Sequence, residues 1–197
     1  DGNWLQARLG HATASRAKDM LSKGRGNKPS DTRRGYIIEL VTERITGNVT
    51  QSYQSVAMQW GTEQEINARL AYGNVNRCEV EEVGFIRHKE LAAGCSPDGF
   101  VDWDGMIEIK CPYNSDVHIK TILDGMPEDH RPQVLMQLWV TGRDWVDFVS
   151  YDPRMPNDLA MYVQRIKKRD EDMRVIEEEV RKFLDEVDAT EAAIKNR

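Results

Sequence analysis

The fold is decided by residues 95–111, which read CSPDGFVDWDGMIEIKC and predict a β-hairpin. Residues 102–105, Asp-Trp-Asp-Gly, form the expected turn, because Asp-Gly is typical of tight hairpin connections. The strand that follows the turn alternates apolar and charged residues, which puts Glu108 and Lys110 on the same face.

Folding this hairpin is expected to bring Asp98 opposite positions near 109–111, where facing Cβ atoms lie roughly 4.5–5.5 Å apart. Asp98, Glu108 and Lys110 should therefore converge on one spot. Two carboxylates suit Mg²⁺ or Mn²⁺, which take oxygen ligands, and a neighbouring lysine can position a water or steady a phosphate. The alternative is a strand with one solvated face, on which Glu108 and Lys110 are ordinary surface charges. The spacing leaves both interpretations open.

The composition is that of a globular domain. The chain has 197 residues, 40% hydrophobic and 30% charged, which is enough for one domain with a sizeable core. No run approaches the ~20 apolar residues of a membrane span, so we expect no membrane association and a cytoplasmic location. The three cysteines form no CxxC pair and the four histidines show no ligand spacing, so neither an iron–sulfur cluster nor a zinc site is expected.

The charge is distributed unevenly along the chain. The net charge is −6, yet residues 1–34 hold eight Lys or Arg and three Asp, for a net +5. Residues 170–197 hold ten Asp or Glu and five Lys or Arg, for a net −5. One end could therefore face a polyanion while the other faces away, although each run could also be a solvated helix face.

The order of predicted elements is that of an α/β domain. Helices are expected at 4–22, 32–46, 54–72, 115–123 and 128–141, and strands at 78–86, at the hairpin and at 145–151. After Asp152-Pro153 a loop should lead into one long helix that ends near Lys195. The expected fold is a single α/β domain over 1–197, with a small mixed central sheet flanked by helices. It would comprise a helical N-terminal part (1–74), a sheet core (75–155) and a C-terminal helix (156–197).

The last predicted helix carries a narrow apolar stripe. Its members are Met173, Ile176, Val180, Phe183, Val187 and Ile194. Such a stripe either seats against a neighbouring subunit or, more commonly, covers the domain's own sheet.

Several blocks of sequence, in order and at fitting spacing, resemble one family. Asp98, Glu108 and Lys110 fit the pattern of the PD-(D/E)xK nucleases, and within them the chain resembles the phage lambda exonuclease group, also called the YqaJ-type viral recombinase nucleases. The blocks are Trp4…Arg8-Leu9-Gly10…Thr13-Ala14-Ser15, Trp60-Gly61…Glu65, Cys95-Ser96-Pro97-Asp98-Gly99, Glu108-Ile109-Lys110-Cys111-Pro112, Gln133-Val134…Trp139-Val140-Thr141 and Tyr151-Asp152-Pro153-Arg154-Met155. The resemblance implies a restriction-endonuclease-like core.

The resemblance also implies roles at a catalytic centre. Asp98 and Glu108 would ligate two Mg²⁺ ions together with the carbonyl of Ile109, Mn²⁺ being the possible substitute. Lys110 would position and activate the attacking water. Glu65 matches a further acid beside the metals, and its alternative is a surface helix glutamate. Gln133 matches a glutamine that holds the water or the lysine, and its alternative is a buried amide that caps a neighbouring element.

A second group of matching residues implies recognition of a DNA end. Arg8, Ser15 and Ser96 match a pocket for the 5′-terminal phosphate, which a guanidinium can hold in a forked geometry while hydroxyls complete the shell. Their alternatives are a surface charge for Arg8 and a helix-interior hydroxyl for Ser15. Met58 matches an apolar wedge that splits the terminal base pair, or it belongs to the core. Arg25 matches an arginine that enters the minor groove, although the loop around it differs from the family pattern.

The activity implied by the resemblance is that of a processive Mg²⁺-dependent 5′→3′ exonuclease. It would act on double-stranded DNA ends with a 5′-phosphate, release 5′-mononucleotides and leave 3′ single-stranded tails for recombination. The family also implies a homotrimeric ring, a single-strand annealing protein as partner, and a phage or prophage origin in the cytoplasm of a bacterial host. Two alternatives remain: an endonuclease of the same superfamily, and a non-catalytic DNA-end-binding module.

Overall fold

A mixed sheet lies at the centre of the computed structural model, which describes residues 2–26, 28, 30–50 and 53–197. The helices are α1 (Gly2–Arg8), α2 (Ala17–Met20), α3 (Asp31–Thr46), α4 (Val56–Asn76), α5 (Ser115–Asp124), α6 (Arg131–Thr141) and α7 (Asp170–Lys195). The strands are β1 (Ala12–Thr13), β2 (Val80–Glu81), β3 (Ile86–Arg87), β4 (Ala93–Cys95), β5 (Gly99–Val101), β6 (Gly105–Lys110), β7 (Trp145–Tyr151) and β8 (Met161–Lys167). A five-stranded sheet has the order β2-β5-β6-β7-β8, and a three-stranded sheet has the order β1-β4-β3.

The predicted hairpin forms the middle of the larger sheet. β5 and β6 pair antiparallel, with Gly99 opposite Ile107 and Val101 opposite Gly105. β6 then pairs with β7 in parallel, which requires a crossover, and α5 and α6 supply it. β7 and β8 pair antiparallel over seven residues. The expectation of a small mixed sheet flanked by helices is confirmed.

The two faces of β6 are covered by different helices. On one face Met106 packs against Val134 and Leu138 of α6. On the other face Ile107 and Ile109 pack in a cluster that includes residues of α4. The alternation expected from the sequence is therefore present, and it turns the charged residues of β6 toward α6.

The apolar stripe of the last helix packs on its own domain. Ile176, Val180, Phe183 and Val187 are buried in a cluster with residues of α3 and α6, while Ile194 is 49% exposed. The stripe therefore covers neighbouring helices of the same chain, in contrast to the expectation that it lies on the sheet.

The long N-terminal helix expected at 4–22 is wrong. α1 ends at Arg8, and Gly10 adopts the left-handed conformation with φ +65°, which stops a helix. The backbone N–H of Gly10 donates to Glu43 Oε2 at 2.9 Å, so this break is held by α3. The chain then enters β1, and the next helical turns begin only at Ala14.

Two further expectations about strands are wrong. The single strand expected at 78–86 is two short strands, β2 and β3, which belong to different sheets. The segment at 161–167, expected to be part of the last helix, is β8, and α7 begins only at Asp170. Tyr162, Val163 and Ile166 favour a strand, and pairing with β7 supplies hydrogen bonds that the sequence pattern does not reveal.

The other helices agree with expectation apart from their ends. α3 begins after Ser30, whose side chain accepts from the N–H of Arg33, and it ends at left-handed Gly47. α4 continues through Gly61, where an interruption was expected, and ends at Asn76, which is followed by Arg77 with φ +53°. Among the described residues, no helix is long and apolar enough to span a membrane.

Candidate active site

Glu108 lies at the base of the site, and only 2% of its surface is exposed. Its Oε1 accepts hydrogen bonds from Lys110 Nζ at 2.6 Å and from Gln133 Nε2 at 2.7 Å. Its Oε2 accepts from Gln137 Nε2 at 2.6 Å. The two glutamines are four residues apart on α6 and so lie on the same helix face. Both oxygens of this carboxylate are therefore held by donors from β6 and α6.

Asp98 stands beside this carboxylate, immediately before β5. The register of β5 and β6, continued by one residue, puts Asp98 opposite Glu108, which corrects the expected position near 109–111. Asp98 Oδ2 accepts from the N–H of Ile109 at 2.6 Å. Burial, followed by the charges of Glu108 and Glu65, raises the pKa of Asp98 well above its usual range. The three acids therefore lie close enough to interact.

Glu65 reaches the site from α4 and is held by Arg69. The Arg69 guanidinium donates to Glu65 Oε1 at 2.7 Å and to the carbonyl of Asp98 at 2.8 Å. Burial raises the pKa of Glu65, and the charge of Arg69 offsets part of that shift. Glu65 is thus part of the acidic cluster, as the match to Trp60-Gly61…Glu65 suggests, and is tied to the backbone of Asp98 through one arginine.

Lys110 is the cation of the site. Burial lowers the pKa of its ammonium, but Glu108 at 2.6 Å, together with Asp98 and Glu65, outweighs this effect and raises the pKa overall. Lys110 is therefore charged at neutral pH and can donate hydrogen bonds to a water or a phosphate oxygen.

The donors of the site fit a hard divalent cation. Within the described ranges, no three His, Cys, Asp or Glu side chains are grouped closely enough to hold an ion by themselves. Mg²⁺, however, is usually bound through one or two carboxylates together with waters and substrate phosphates. Asp98 and Glu108 match that mode. Burial, together with the charges of Glu108 and Glu65, raises the pKa of Asp98, and a bound cation would offset that shift.

The residues expected to bind a terminal phosphate line the same cleft as the acids. Arg8, Ser15 and Ser96 all border this cleft, whose volume is about 1000 Å³. Trp4 Nε1 donates to Ser96 Oγ at 3.0 Å, and the Arg8 guanidinium lies 4.7 Å from the centre of the Trp4 ring. Ser15 lies in the middle of a short 3-10 helix (Ala14–Arg16) and is exposed, and its Oγ lies 3.2 Å from Thr13 Oγ1.

Met58 and Arg25 occupy different places. Met58, in the first turn of α4, lines the cleft and is 50% exposed, so it is not a core residue. Arg25 is exposed in the loop before α3 and is not among the described residues that line the cleft. The structure therefore brings every predicted site residue except Arg25 into one cleft.

A cluster around Arg154 fixes the segment that follows Lys110. Arg154 donates to the carbonyls of Tyr113 at 2.9 Å and Pro112 at 3.1 Å, and its guanidinium lies 4.5 Å from the centre of the Trp60 ring. It also pairs with buried Asp152 at 2.8 Å. Burial alone would raise the pKa of Asp152, but hydrogen bonds from Arg154 and Ser115 lower it to about 2.

Three contributors were not assigned a role from the sequence: Gln137, Arg69 and Arg154. Gln137 and Arg69 each stand four residues after a predicted site residue, Gln133 and Glu65 respectively, and that spacing is a usable signal. The contacts of Arg154 depend on the loop after β7 and could not be foreseen.

The fold and the site together define a class of protein. A mixed sheet that carries Asp98, Glu108 and Lys110 at adjoining strand ends, with further acids and amides around them, has the features expected of a PD-(D/E)xK nuclease. The chain is therefore an enzyme of the nuclease class, and its core is restriction-endonuclease-like.

The comparisons with known proteins show the family. The model of the YqaJ-like viral recombinase domain matches residues 3–144, so the chain belongs to that family. An alkaline exonuclease (LHK-Exo) from Laribacter hongkongensis is 41% identical, with a TM-score of 0.91, and 100% of this chain and 97% of that chain are covered. A structure of LHK-Exo in complex with dAMP matches at 42% identity and a TM-score of 0.91, with the same coverage.

A more distant structure shares the fold alone. A phage related exonuclease from Haemophilus somnus 129PT is 16% identical, with a TM-score of 0.71, and 93% of this chain and 96% of that chain are covered. No curated protein sequence matches the chain significantly.

Proposed function

We propose that the chain is a Mg²⁺-dependent, processive 5′→3′ exonuclease that acts on double-stranded DNA ends. It would release 5′-mononucleotides and leave 3′ single-stranded tails for homologous recombination by strand annealing. The family match to viral recombinases and the neighbouring alkaline exonuclease support an exonuclease on DNA. The complex of LHK-Exo with dAMP, a mononucleotide, is consistent with this product class.

The observation that carries the proposal is the shared cleft. Arg8, Ser15 and Ser96 border the same space as Asp98 and Glu108. Ser96 is only two residues from Asp98 in the chain, so a phosphate at Ser96 would lie close to the acids. A site that holds the terminal phosphate beside the acids places the first internucleotide bond at the reaction centre, which favours cleavage from an end.

The residues of the acidic cluster would divide the chemistry. Asp98 and Glu108, with the carbonyl of Ile109 and with Glu65 nearby, would hold the divalent ions, which stabilise charge on the attacking and leaving oxygens. Lys110, fixed by Glu108 at 2.6 Å, would orient the water for in-line attack. Gln133 would keep Glu108 and Lys110 in this arrangement.

The substrate contacts would lie on the rim. Arg8 would fork onto the 5′-phosphate, and the hydroxyls of Ser15 and Ser96 would complete its shell. Met58 would act as the wedge at the terminal base pair, and Arg25 would follow the minor groove outside the cleft.

The remaining features of the proposal follow from family membership. The whole chain would form one nuclease domain, assemble as a homotrimeric ring around the duplex, and hand its product to a single-strand annealing protein. It would be phage- or prophage-encoded and act in the cytoplasm of a bacterial host. Mn²⁺ would be able to replace Mg²⁺, because both ions accept carboxylate and water ligands.

Digestion of three duplexes, each with and without Mg²⁺, tests the proposal. A linear duplex with 5′-phosphates should be degraded fastest, the same duplex with 5′-hydroxyls more slowly, and a closed circle not at all. All digestion should stop when EDTA removes the metal. Efficient cutting of the closed circle would instead identify an endonuclease. Binding of ends without digestion under any metal condition would identify an end-binding module.

A further inference from the structure

Gln137 is the most deeply buried amide beside the acidic cluster. The side chain belongs to α6, is 1% exposed, and donates from Nε2 to Glu108 Oε2 at 2.6 Å. Its other polar atom, Oε1, is buried and has no hydrogen-bond partner. A carboxylate offers only acceptors, so the amide has to turn its NH₂ group toward Glu108 and leave its oxygen on the far side.

The unpaired oxygen of Gln137 lowers the stability of the fold. A buried acceptor without a partner costs about 1–3 kcal/mol. An apolar side chain of similar volume would avoid that cost, and the neighbouring buried positions of α6, Met136 and Leu138, do carry apolar residues. Position 137 therefore carries a glutamine despite the cost of an unpaired buried oxygen. The contact that this glutamine makes with Glu108 is the reason the structure offers.

The three donors to Glu108 are not equivalent. Lys110 and Gln133 both bind Oε1 and are only partly buried, so substrate or water can compete for them. Gln137 is the donor to Oε2 and is enclosed. Without Gln137, only the partly exposed donors at Oε1 would restrain the last torsion of the Glu108 side chain, which sets the plane of the carboxylate.

We infer that Gln137 is a positioning residue that fixes the plane of the Glu108 carboxylate and so presents it to a divalent cation. The inference depends on the proposed function only in that Glu108 is a metal ligand. Residues that orient a ligand typically contribute a factor of about 10–100 in metal affinity or activity.

Titration of Mn²⁺ into the DNA-free protein, followed by the loss of the free-ion EPR signal, tests the inference directly. The Gln137→Met variant keeps the volume and removes the donor, and its dissociation constant for Mn²⁺ should rise about 10- to 100-fold. The matched control is Met136→Leu, a volume-conserving change at the adjacent buried position, which should leave the Mn²⁺ constant within about twofold.

A second readout separates positioning from stability. In DNA digestion, the Mg²⁺ concentration for half-maximal rate should rise by a similar factor in Gln137→Met, while the KM for DNA ends stays unchanged. A purely structural role would lower the melting temperature and leave the Mn²⁺ constant as in the wild type, and that result would overturn the inference.

Two further measurements test the inference if Gln137→Met does not fold. Gln137→Asn retains an amide but is one methylene too short to reach Glu108, and it should weaken Mn²⁺ binding as Gln137→Met does. In the wild type labelled with ¹⁵N, Mg²⁺ should shift the side-chain NH₂ resonances of Gln133 and Gln137 together, because both bind one carboxylate. An unmoved Gln137 resonance at saturating Mg²⁺ would refute the inference.

The outcomes also separate this inference from the proposed function. If the wild type binds Mn²⁺ with the expected dependence on Gln137 but leaves duplex ends intact, the exonuclease proposal fails and the positioning role stands. If the wild type digests ends but Gln137→Met binds Mn²⁺ normally, the positioning role fails alone. If the wild type binds no Mn²⁺ but digests duplex ends in Mg²⁺, the positioning role fails and the exonuclease proposal stands.

Discussion

The acidic end of the cleft and the end at which we propose that the 5′-phosphate binds are built differently. At the acidic end, Glu108 is 2% exposed and receives three hydrogen bonds from side chains of β6 and α6. At the other end, Ser15 is exposed and lies beside the hydroxyl of Thr13, and Arg8 stacks on Trp4. The first region is held in place by the core, and the second lies on the rim.

This difference suggests a division of work. Groups that hold ions and orient a water must be fixed before the substrate arrives, because reorganisation during the reaction would raise the barrier. Groups that capture a phosphate from solution must remain accessible. Substitutions at the acidic end should therefore change the chemical step, and substitutions at the rim should change the choice of DNA end.

Replacing Lys110, at the acidic end of the cleft, should have the largest effect on digestion. Lys110→Ala removes the cation that we propose orients the water, so digestion should fall roughly 10²- to 10⁴-fold while binding to duplex ends is kept. Gel-shift and digestion assays on one labelled duplex measure both quantities. The control is Lys120→Ala, an exposed lysine of α5, which should digest at the wild-type rate. Unchanged digestion by Lys110→Ala would remove the proposed catalytic centre.

Replacing Arg8 should have the next largest effect and should be selective for the end group. Arg8→Ala would lose the charge-assisted hydrogen bonds that we propose Arg8 makes to the 5′-phosphate, so initiation on phosphorylated ends should slow about 10- to 100-fold. On 5′-hydroxyl ends the rate should hardly change. The exposed Arg34 of α3 provides the control as Arg34→Ala. An equal slowing on both kinds of end would argue against a phosphate pocket at Arg8.

Acid should lower the free energy of unfolding through Asp152, which pairs with Arg154 beside the segment that follows Lys110. Its pKa is lowered from 3.8 to about 2, so it contributes stability that is fully present above pH 3.8 and is lost as the pH falls through about 2. The contribution is about 2 kcal/mol. Urea unfolding of the wild type and of Asp152→Asn should differ by about this amount at pH 5, and the difference should shrink toward pH 2. If the difference in unfolding free energy between the two proteins stayed constant with pH, the charge of Asp152 would not be the source of this stability.

The centre of the fold could be predicted from sequence because its signals are local. The alternation of β6 and the Asp-Gly turn involve residues a few positions apart, and both are present. β8 was missed because a seven-residue segment can fit either a helix or a strand until β7 pairs with it. The break at Gly10 was missed because Glu43, 33 residues away, helps to hold it.

In the site, too, local patterns could be read from the sequence and contacts between distant residues could not. Asp98, Glu108 and Lys110 were found from the hairpin and its spacing, whereas Arg8, Ser15, Glu65 and Gln133 were found only through resemblance to a family. Gln137 and Arg154 were given no role, because their contacts with Glu108 and with Pro112 cross between distant parts of the chain.

The hairpin, the placement of Glu108 and Lys110 on one face of its second strand, and the family could all be read from the amino-acid sequence alone. Backbone periodicity and short-range turn chemistry are encoded within a few residues, so they can be read from the chain. Only the tertiary structure decided that α6 presses two glutamines onto Glu108 and that the N-terminal residues Arg8 and Ser15 border the same cleft. Those contacts arise when the sheet buries its apolar face against α6 and α4, and packing of that kind joins residues that no local pattern connects.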